Sequence, residues 1–127
     1  MKILTSTLVL ATVILISGCT GSVETAPSEL DSFAECIDNN EVKMFGAYTC
    51  SVCAKQKALF GTSFEKIEEV ECHPRGENAQ TDWCLELNIE KTPTWMMFEN
   101  GDLVKTAVGF QTLEELSEFS GCPLEVV

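Results

Sequence analysis

The sequence predicts a small α/β domain: one sheet flanked by helices. Three observations carry that prediction. Short apolar, strand-like runs alternate with segments of helical spacing over residues 30–127. Asn100-Gly101 stands between two of these runs, the strongest short-range signal for a hairpin. Cys50-Ser51-Val52-Cys53 falls where a strand gives way to a helix. Alternation closed by a hairpin gives the order α-β-α-β-α-β-β-α, an α/β sandwich. A chain of 127 residues allows one domain of ordinary size and excludes a two-domain enzyme.

The elements follow in order. Ser28-Glu29-Leu30-Asp31 has capping-box spacing, with Asp in place of Glu or Gln, and Leu30, Phe33, Ala34 and Ile37 then recur at helical spacing. Asp38-Asn39-Asn40 stops that helix. Val42 to Ala47 reads as a buried strand, and residues 51–60 as a helix closed by Gly61. Ile67 to Cys72 is the second strand. Pro74-Arg75-Gly76 breaks the chain, and residues 79–88 read as a helix. Thr94 to Glu99 and Leu103 to Val108 form the hairpin. Thr112-Leu113-Glu114-Glu115 is a capping box that opens a last helix, with Leu113, Leu116 and Phe119 inward.

Charge and the N-terminus narrow the class. The formal charge is −12, from twenty Asp+Glu against eight Lys+Arg. A nucleic-acid partner is excluded, because phosphate binding needs a basic face, and so is electrostatic binding to anionic lipid. Met1-Lys2 followed by the apolar run Ile3 to Ile16 has the layout of a secretory signal. It ends Leu15-Ile16-Ser17-Gly18-Cys19, which resembles the lipobox of prokaryotic lipoproteins. That resemblance implies cleavage of residues 1–18, a lipid on Cys19 and an extracytoplasmic, membrane-anchored lipoprotein. Other readings of the run are an uncleaved anchor or an ordinary signal. Residues 19–29 then read as a flexible tether, and 30–127 as the domain.

Seven cysteines demand disulfides, metal or thiol chemistry. Cys50 would stand at the N-terminus of the second helix, beside unpaired backbone N–H groups and the positive end of the dipole. Both favour the thiolate, the form that attacks disulfides. Cys53, one turn further in, can resolve a mixed disulfide. A Cys-x-x-Cys in a βαβ setting is the thioredoxin-like signal, although half of a zinc site looks the same. Thr92-Pro93-Thr94 leads into the third strand, a place where proline is uncommon unless the turn needs it.

Residues 33–122 resemble the thioredoxin-like domain associated with vitamin K epoxide reductase homologues of prokaryotes and plants. The resemblance rests on Lys43-Met44-Phe45-Gly46-Ala47-Tyr48, Cys50 and Cys53, Gln56-Lys57, and Leu59-Phe60-Gly61. It continues through Val70-Glu71-Cys72, Cys84, Pro93-Thr94-Trp95, Leu113-Glu114-Glu115-Leu116 and Ser120-Gly121-Cys122. It implies a thioredoxin-like fold with a central mixed four-stranded sheet. It also implies a thiol–disulfide oxidoreductase with Cys50, Cys53 and a cis Pro93 as its catalytic site, and Thr92 and Tyr48 against the substrate. In that family a four-helix membrane enzyme passes electrons from the domain to a quinone. The implied partners are therefore exported protein thiols and disulfides and a quinone-linked membrane oxidoreductase, and the implied role is disulfide formation. The sequence departs from the family at Thr49, where Trp is usual, and at Ser51-Val52, where Pro-His is usual. The histidine that stabilises the thiolate of strongly oxidising members is thus missing. Thioredoxin's buried acid falls in register with Met44, so another group or water must take the proton of Cys53.

Six non-lipidated cysteines allow fifteen pairings, and sequence alone does not choose among them. Topology favours Cys72–Cys84, which would pin the intervening loop at roughly 3 kcal/mol, and leaves Cys36 for Cys122. Cys72 and Cys84 as a second, electron-relaying pair is the alternative use. His73, the single histidine, invites a zinc reading with Cys50, Cys53 and Cys84, but the spacing fits a structural site poorly and an exported chain favours disulfides. No metal is expected, and His73 reads as an exposed loop residue. Trp83 and Trp95 read as core or groove residues. Glu68, Glu69 and Glu71 read as a solvated strand edge, and Lys55 and Lys57 as solvent-facing. No cofactor motif is present: there is no Gly-rich phosphate loop and no heme-type Cys-x-x-Cys-His. Electrons must come from or go to another protein. The alternative function is a non-catalytic binding or metal-holding module.

Overall fold

The computed structural model describes residues 28–125. The apolar run, Cys19 and the tether up to residue 27 lie outside the described residues. Among the described residues no helix is long and apolar enough to cross a membrane. The elements are α1 (Asp31–Asn39), β1 (Val42–Gly46), α2 (Ser51–Phe60), a 3-10 turn (Gly61–Lys66), β2 (Glu69–Glu71), α3 (Thr81–Glu86), β3 (Thr94–Glu99), β4 (Asp102–Val108) and α4 (Leu113–Ser120).

The sheet has four strands in the order β2-β1-β3-β4. β1 runs parallel to β2 and antiparallel to β3, and β3 is antiparallel to β4, so the sheet is mixed. A parallel pair needs a crossover, and α2 with the 3-10 turn supplies it. The β3–β4 hairpin turns at Asn100-Gly101, both with positive φ, as a tight turn between twisted strands demands.

Alternation along the strands divides the core between two faces. Val42, Met44 and Trp95 point into a cluster with Phe33, Ala34 and Ile37 of α1, Cys53 and Phe60 of α2 and Leu116 of α4. Phe45, Val70, Met96 and Phe98 point the other way, against Cys84 and Trp83 of α3. Trp95 is fully buried; Trp83 is half-buried, edge-on to Phe45 at 5.1 Å. Leu113 and Phe119 pack against the first cluster half-buried, with Leu116 wholly inside.

The box at Thr112 forms in full: its side chain accepts from the Glu115 N–H, and Glu115 reaches back to the Thr112 N–H. The box expected at Ser28 does not. Leu30 takes the N-cap position of α1 with no side-chain bond, because the Asp31 carboxylate accepts from the Ser63 hydroxyl at 2.7 Å. β2 is shorter than Ile67 to Cys72, since the 3-10 turn runs up to Lys66 and Cys72 is bridged to Cys84. α3 is likewise shorter than residues 79–88. A second bridge, Cys36–Cys122, joins α1 to the segment after α4.

Candidate active site

The site forms where β1 ends. β1 delivers the chain to the turn Ala47 to Cys50, closed by Cys50 N–H donating to the Ala47 carbonyl at 2.9 Å. Cys50 is then the N-cap of α2, and its Sγ accepts from the Cys53 N–H at 3.1 Å. A sulfur thus takes the place of the usual Ser, Thr or Asp oxygen and satisfies one of the helix's unpaired donors. Cys50 is half-buried and Cys53 buried, both with free thiols.

The second strut is the turn before β3. The Thr92–Pro93 peptide is cis, and the Cys50 thiol donates to the Thr92 carbonyl at 3.4 Å. Gly109 N–H donates to the Pro93 carbonyl at 2.8 Å, binding this turn to the end of β4. Cys50, Cys53, Thr92 and Pro93, far apart in sequence, are therefore gathered at one end of the sheet. Tyr48 is exposed on the turn before α2, and its N–H donates to Glu71 Oε2 at 2.9 Å. Cys36–Cys122 and Cys72–Cys84 are bridged, which leaves Cys50 and Cys53 as the free thiols among the described residues.

The two thiols are held in different electrostatic states. Burial works against a Cys50 thiolate, but hydrogen bonds from the side chains of Cys53 and Thr92 and from the backbone of Cys53 and Val52 outweigh it, so its pKa lies below the ordinary thiol value. Burial, with the hydrogen bond to Cys50, pushes the Cys53 thiol up to about 11. Cys50 is therefore the more easily ionised of the two sulfurs, and Cys53 holds its proton more tightly.

Three residues sit differently from their sequence reading. His73 is half-buried and stands edge-on to Tyr48 at 5.1 Å, because its N–H is held by Glu71 Oε1 at 2.7 Å. Lys57 and Glu69 are an ion pair at 2.8 Å rather than two solvated side chains. Among the described residues no group of three or more His, Cys, Asp or Glu is arranged to hold a metal ion.

Gln56, one of the residues that carry the resemblance, has a structural role that sequence reasoning did not assign. It is fully buried, accepts from Trp95 Nε1 at 3.3 Å and from Gln111 N–H at 2.8 Å, and donates to the Gln111 carbonyl at 2.9 Å. It fixes the helix of the cysteines to β3 and to the segment before α4. Its signal was its place between Cys53 and Phe60 on the inward stripe of α2, where a polar side chain needs partners.

Comparison with solved structures agrees on the architecture. A point mutant of thioredoxin from Halobacterium salinarum superposes with a TM-score of 0.52 at 18% identity, covering 75% of this chain and 85% of that one. Thioredoxin from Malassezia sympodialis gives 0.51 at 23% identity, covering 65% and 74%. The fold is that of thioredoxin. In sequence, the chain is 34% identical over 98 residues to the thiol-disulfide oxidoreductase LTO1 of Arabidopsis thaliana. The match covers 74% of this chain and 25% of the plant protein, so the chain spans about a quarter of that relative's length. No family model matches the chain. Within the thioredoxin fold the free cysteines occupy the start of the helix that follows β1, and the turn of Pro93 faces them.

Proposed function

We propose that this protein is a membrane-tethered, extracytoplasmic thiol–disulfide oxidoreductase in which Cys50 and Cys53 form the redox pair. One observation carries the reading: Cys50 caps α2 with a lowered pKa and faces the Thr92 carbonyl, while Cys53 lies buried behind it with a raised one. A thiolate attacks disulfides and a thiol does not, so this split assigns the order of events. Cys50 forms the mixed disulfide with the partner chain. Cys53 then displaces the partner, and the Cys50–Cys53 disulfide closes. In the opposite direction a partner thiolate opens that disulfide at Cys50.

The flanks suit an extended partner. Tyr48 and Val52 are exposed on either side of Cys50, and Val108 and Phe110 are exposed on the segment that Gly109 ties to Pro93. Thr92, half-buried beside Cys50, offers its backbone to the incoming chain, and the buried Pro93 holds that turn in place. The name of the plant relative and the resemblance to domains that serve vitamin K epoxide reductase homologues support a role in disulfide formation. Electrons would pass from exported thiols to Cys50–Cys53 and on to a quinone-linked membrane oxidoreductase. Cys19 would carry the lipid, and stable anchoring would need more than one acyl chain.

The test is trapping in cells. The Cys53→Ala protein should accumulate mixed disulfides with exported proteins and with the membrane partner, and Cys50→Ala should trap far fewer. Equal trapping by both variants would defeat the assignment of roles. No trapping by either, with an intact fold, would favour a binding module. Cys19→Ser should leave the membrane fraction or fail to be processed.

A further inference from the structure

Cys53 needs a base and β1 supplies none. Its thiol is pushed up to about 11, yet the resolving step needs a thiolate. On the face of the sheet that α2 covers, β1 presents Met44. Met44 is paired with Glu69 on β2, so a carboxylate stands one strand over on the same face.

Gly46 makes the approach possible. A Cβ built on Gly46 would lie 3.2 Å from Glu69 Oε1 and 3.4 Å from Cys53 Sγ. The carboxylate and the thiol therefore both border the side of Gly46 that carries no side chain, and they lie close enough together that one water molecule would bridge them. Lys57, on α2, donates to both carboxylate oxygens of Glu69, at 2.9 and 2.8 Å. It holds the carboxylate in place beside Gly46. Glu69 also lines a surface depression with Tyr48, Lys57, Glu71 and Glu77, which gives a proton a way to solvent. These, with Cys50, are the titratable groups that surround the path.

We propose that Glu69, positioned by Lys57, takes the proton of Cys53 through water when Cys53 resolves the mixed disulfide, and returns it in the reverse step. The inference rests on the redox reading of Cys50 and Cys53. The Cys53 Sγ–H proton passes to the Glu69 carboxylate. Cys53 Sγ forms a bond to Cys50 Sγ, and the bond between Cys50 Sγ and the partner sulfur breaks. The partner leaves as a thiolate with the electron pair. The cysteine pair is oxidised by two electrons and the partner sulfur is reduced.

Dithio-bis-nitrobenzoate separates the two reactions. The reduced protein should release one thionitrobenzoate as Cys50 attacks, and a second as Cys53 resolves the adduct. In Glu69→Gln, near pH 7, the first phase should stay within about twofold and the second should slow about tenfold to a hundredfold. The slowing should fade at alkaline pH, where Cys53 ionises unaided. In Lys57→Met the carboxylate remains but loses the donor that positions it, so the second phase should slow less than in Glu69→Gln while the first stays unchanged. A purely structural ion pair would make the two variants alike. The proposal fails if Glu69→Gln resolves at the wild-type rate, or if both phases slow equally. If Glu69→Gln does not fold, Lys57→Met decides: a slowed second phase with an unchanged first supports the proposal, and an unslowed second phase overturns it. Failure of the wild-type protein to release a second thionitrobenzoate would instead sink the redox reading itself.

Discussion

The Cys50 sulfur caps the very helix that carries Cys53, accepting the Cys53 N–H at 3.1 Å. One hydrogen bond thus links the attacking and the resolving residue. It stabilises negative charge on Cys50 and, through the paired thiols, holds the proton on Cys53. The asymmetry is local, set by the burial of Cys53, by one helix turn and by the Thr92 side chain. It does not depend on the histidine that the family usually places between the cysteines and that Ser51-Val52 here replaces.

Alkylation should show this asymmetry. A lowered pKa means that the Cys50 thiolate is present at a pH where an ordinary thiol is still protonated, so iodoacetamide should modify Cys50 first. Its rate should rise through a midpoint below the ordinary thiol value. Cys53 should react only as pH approaches about 11. In Cys50→Ala the Cys53 midpoint should fall, since one cause of its shift is gone, yet burial should keep it above the ordinary value. Mass spectrometry of protein quenched across a pH series reads both curves. Faster modification of Cys53 in the wild type would contradict the structure.

The two bridges should differ in worth. Cys36–Cys122 closes a sequence separation of 86 and Cys72–Cys84 one of 12. In the chain-entropy picture the first constrains the unfolded chain more, about 4 to 5 kcal/mol against about 3. Asn40 adds to the first junction by donating to the Ser120 carbonyl at 2.9 Å. Urea unfolding of the paired Cys→Ser variants should therefore rank Cys36→Ser/Cys122→Ser as the weaker protein. The reverse ranking would mean that the loop of His73 contributes more to the fold than its length suggests.

What could be read in the sequence was what neighbours in the chain decide. Asn100-Gly101, the Thr112–Glu115 box and the cysteine pair at a strand-to-helix junction each need only a few consecutive residues, and each appears in the structure. What escaped depends on partners brought together by the crossover. Asp31 lost its box because Ser63 and Lys66, across the 3-10 turn, compete for the carboxylate. Glu69 and Lys57 looked solvated because their pairing exists only once β2 lies beside β1 under α2. No local pattern in α2 names the partners of Gln56, which come from β3 and the segment before α4.

Gln56→Leu should be costly despite its similar volume. It would leave the Trp95 Nε1–H, the Gln111 N–H and the Gln111 carbonyl without a buried partner, at about 1–3 kcal/mol for each group that water cannot reach. Gln111 is half-buried and can recover part of its loss. A net loss of about 2 kcal/mol by urea unfolding is expected. The loss should also loosen the Val108-to-Gln111 segment, visible as faster amide exchange at Gly109 and Gln111. Leu as stable as Gln would mean that this buried node is dispensable.

Gly46→Ala tests the approach of Cys53 and Glu69 while leaving both residues in the sequence. The added methyl would stand 3.2 Å from Glu69 Oε1, 3.2 Å from Met44 Cε and 3.4 Å from Cys53 Sγ. Those contacts are tight but sit against side-chain ends that can yield, so the fold should survive with a cost of about 1–2 kcal/mol. The methyl would fill the space a bridging water needs and push the carboxylate from the thiol. The first thionitrobenzoate release should be nearly unchanged, because Cys50 lies at the helix cap, away from this gap. The second should slow toward the Glu69→Gln rate. Combining Gly46→Ala with Glu69→Gln should add little further slowing, since both remove one proton path. Independent, multiplying effects would show that Gly46 acts on Cys53 by packing alone and not through the carboxylate.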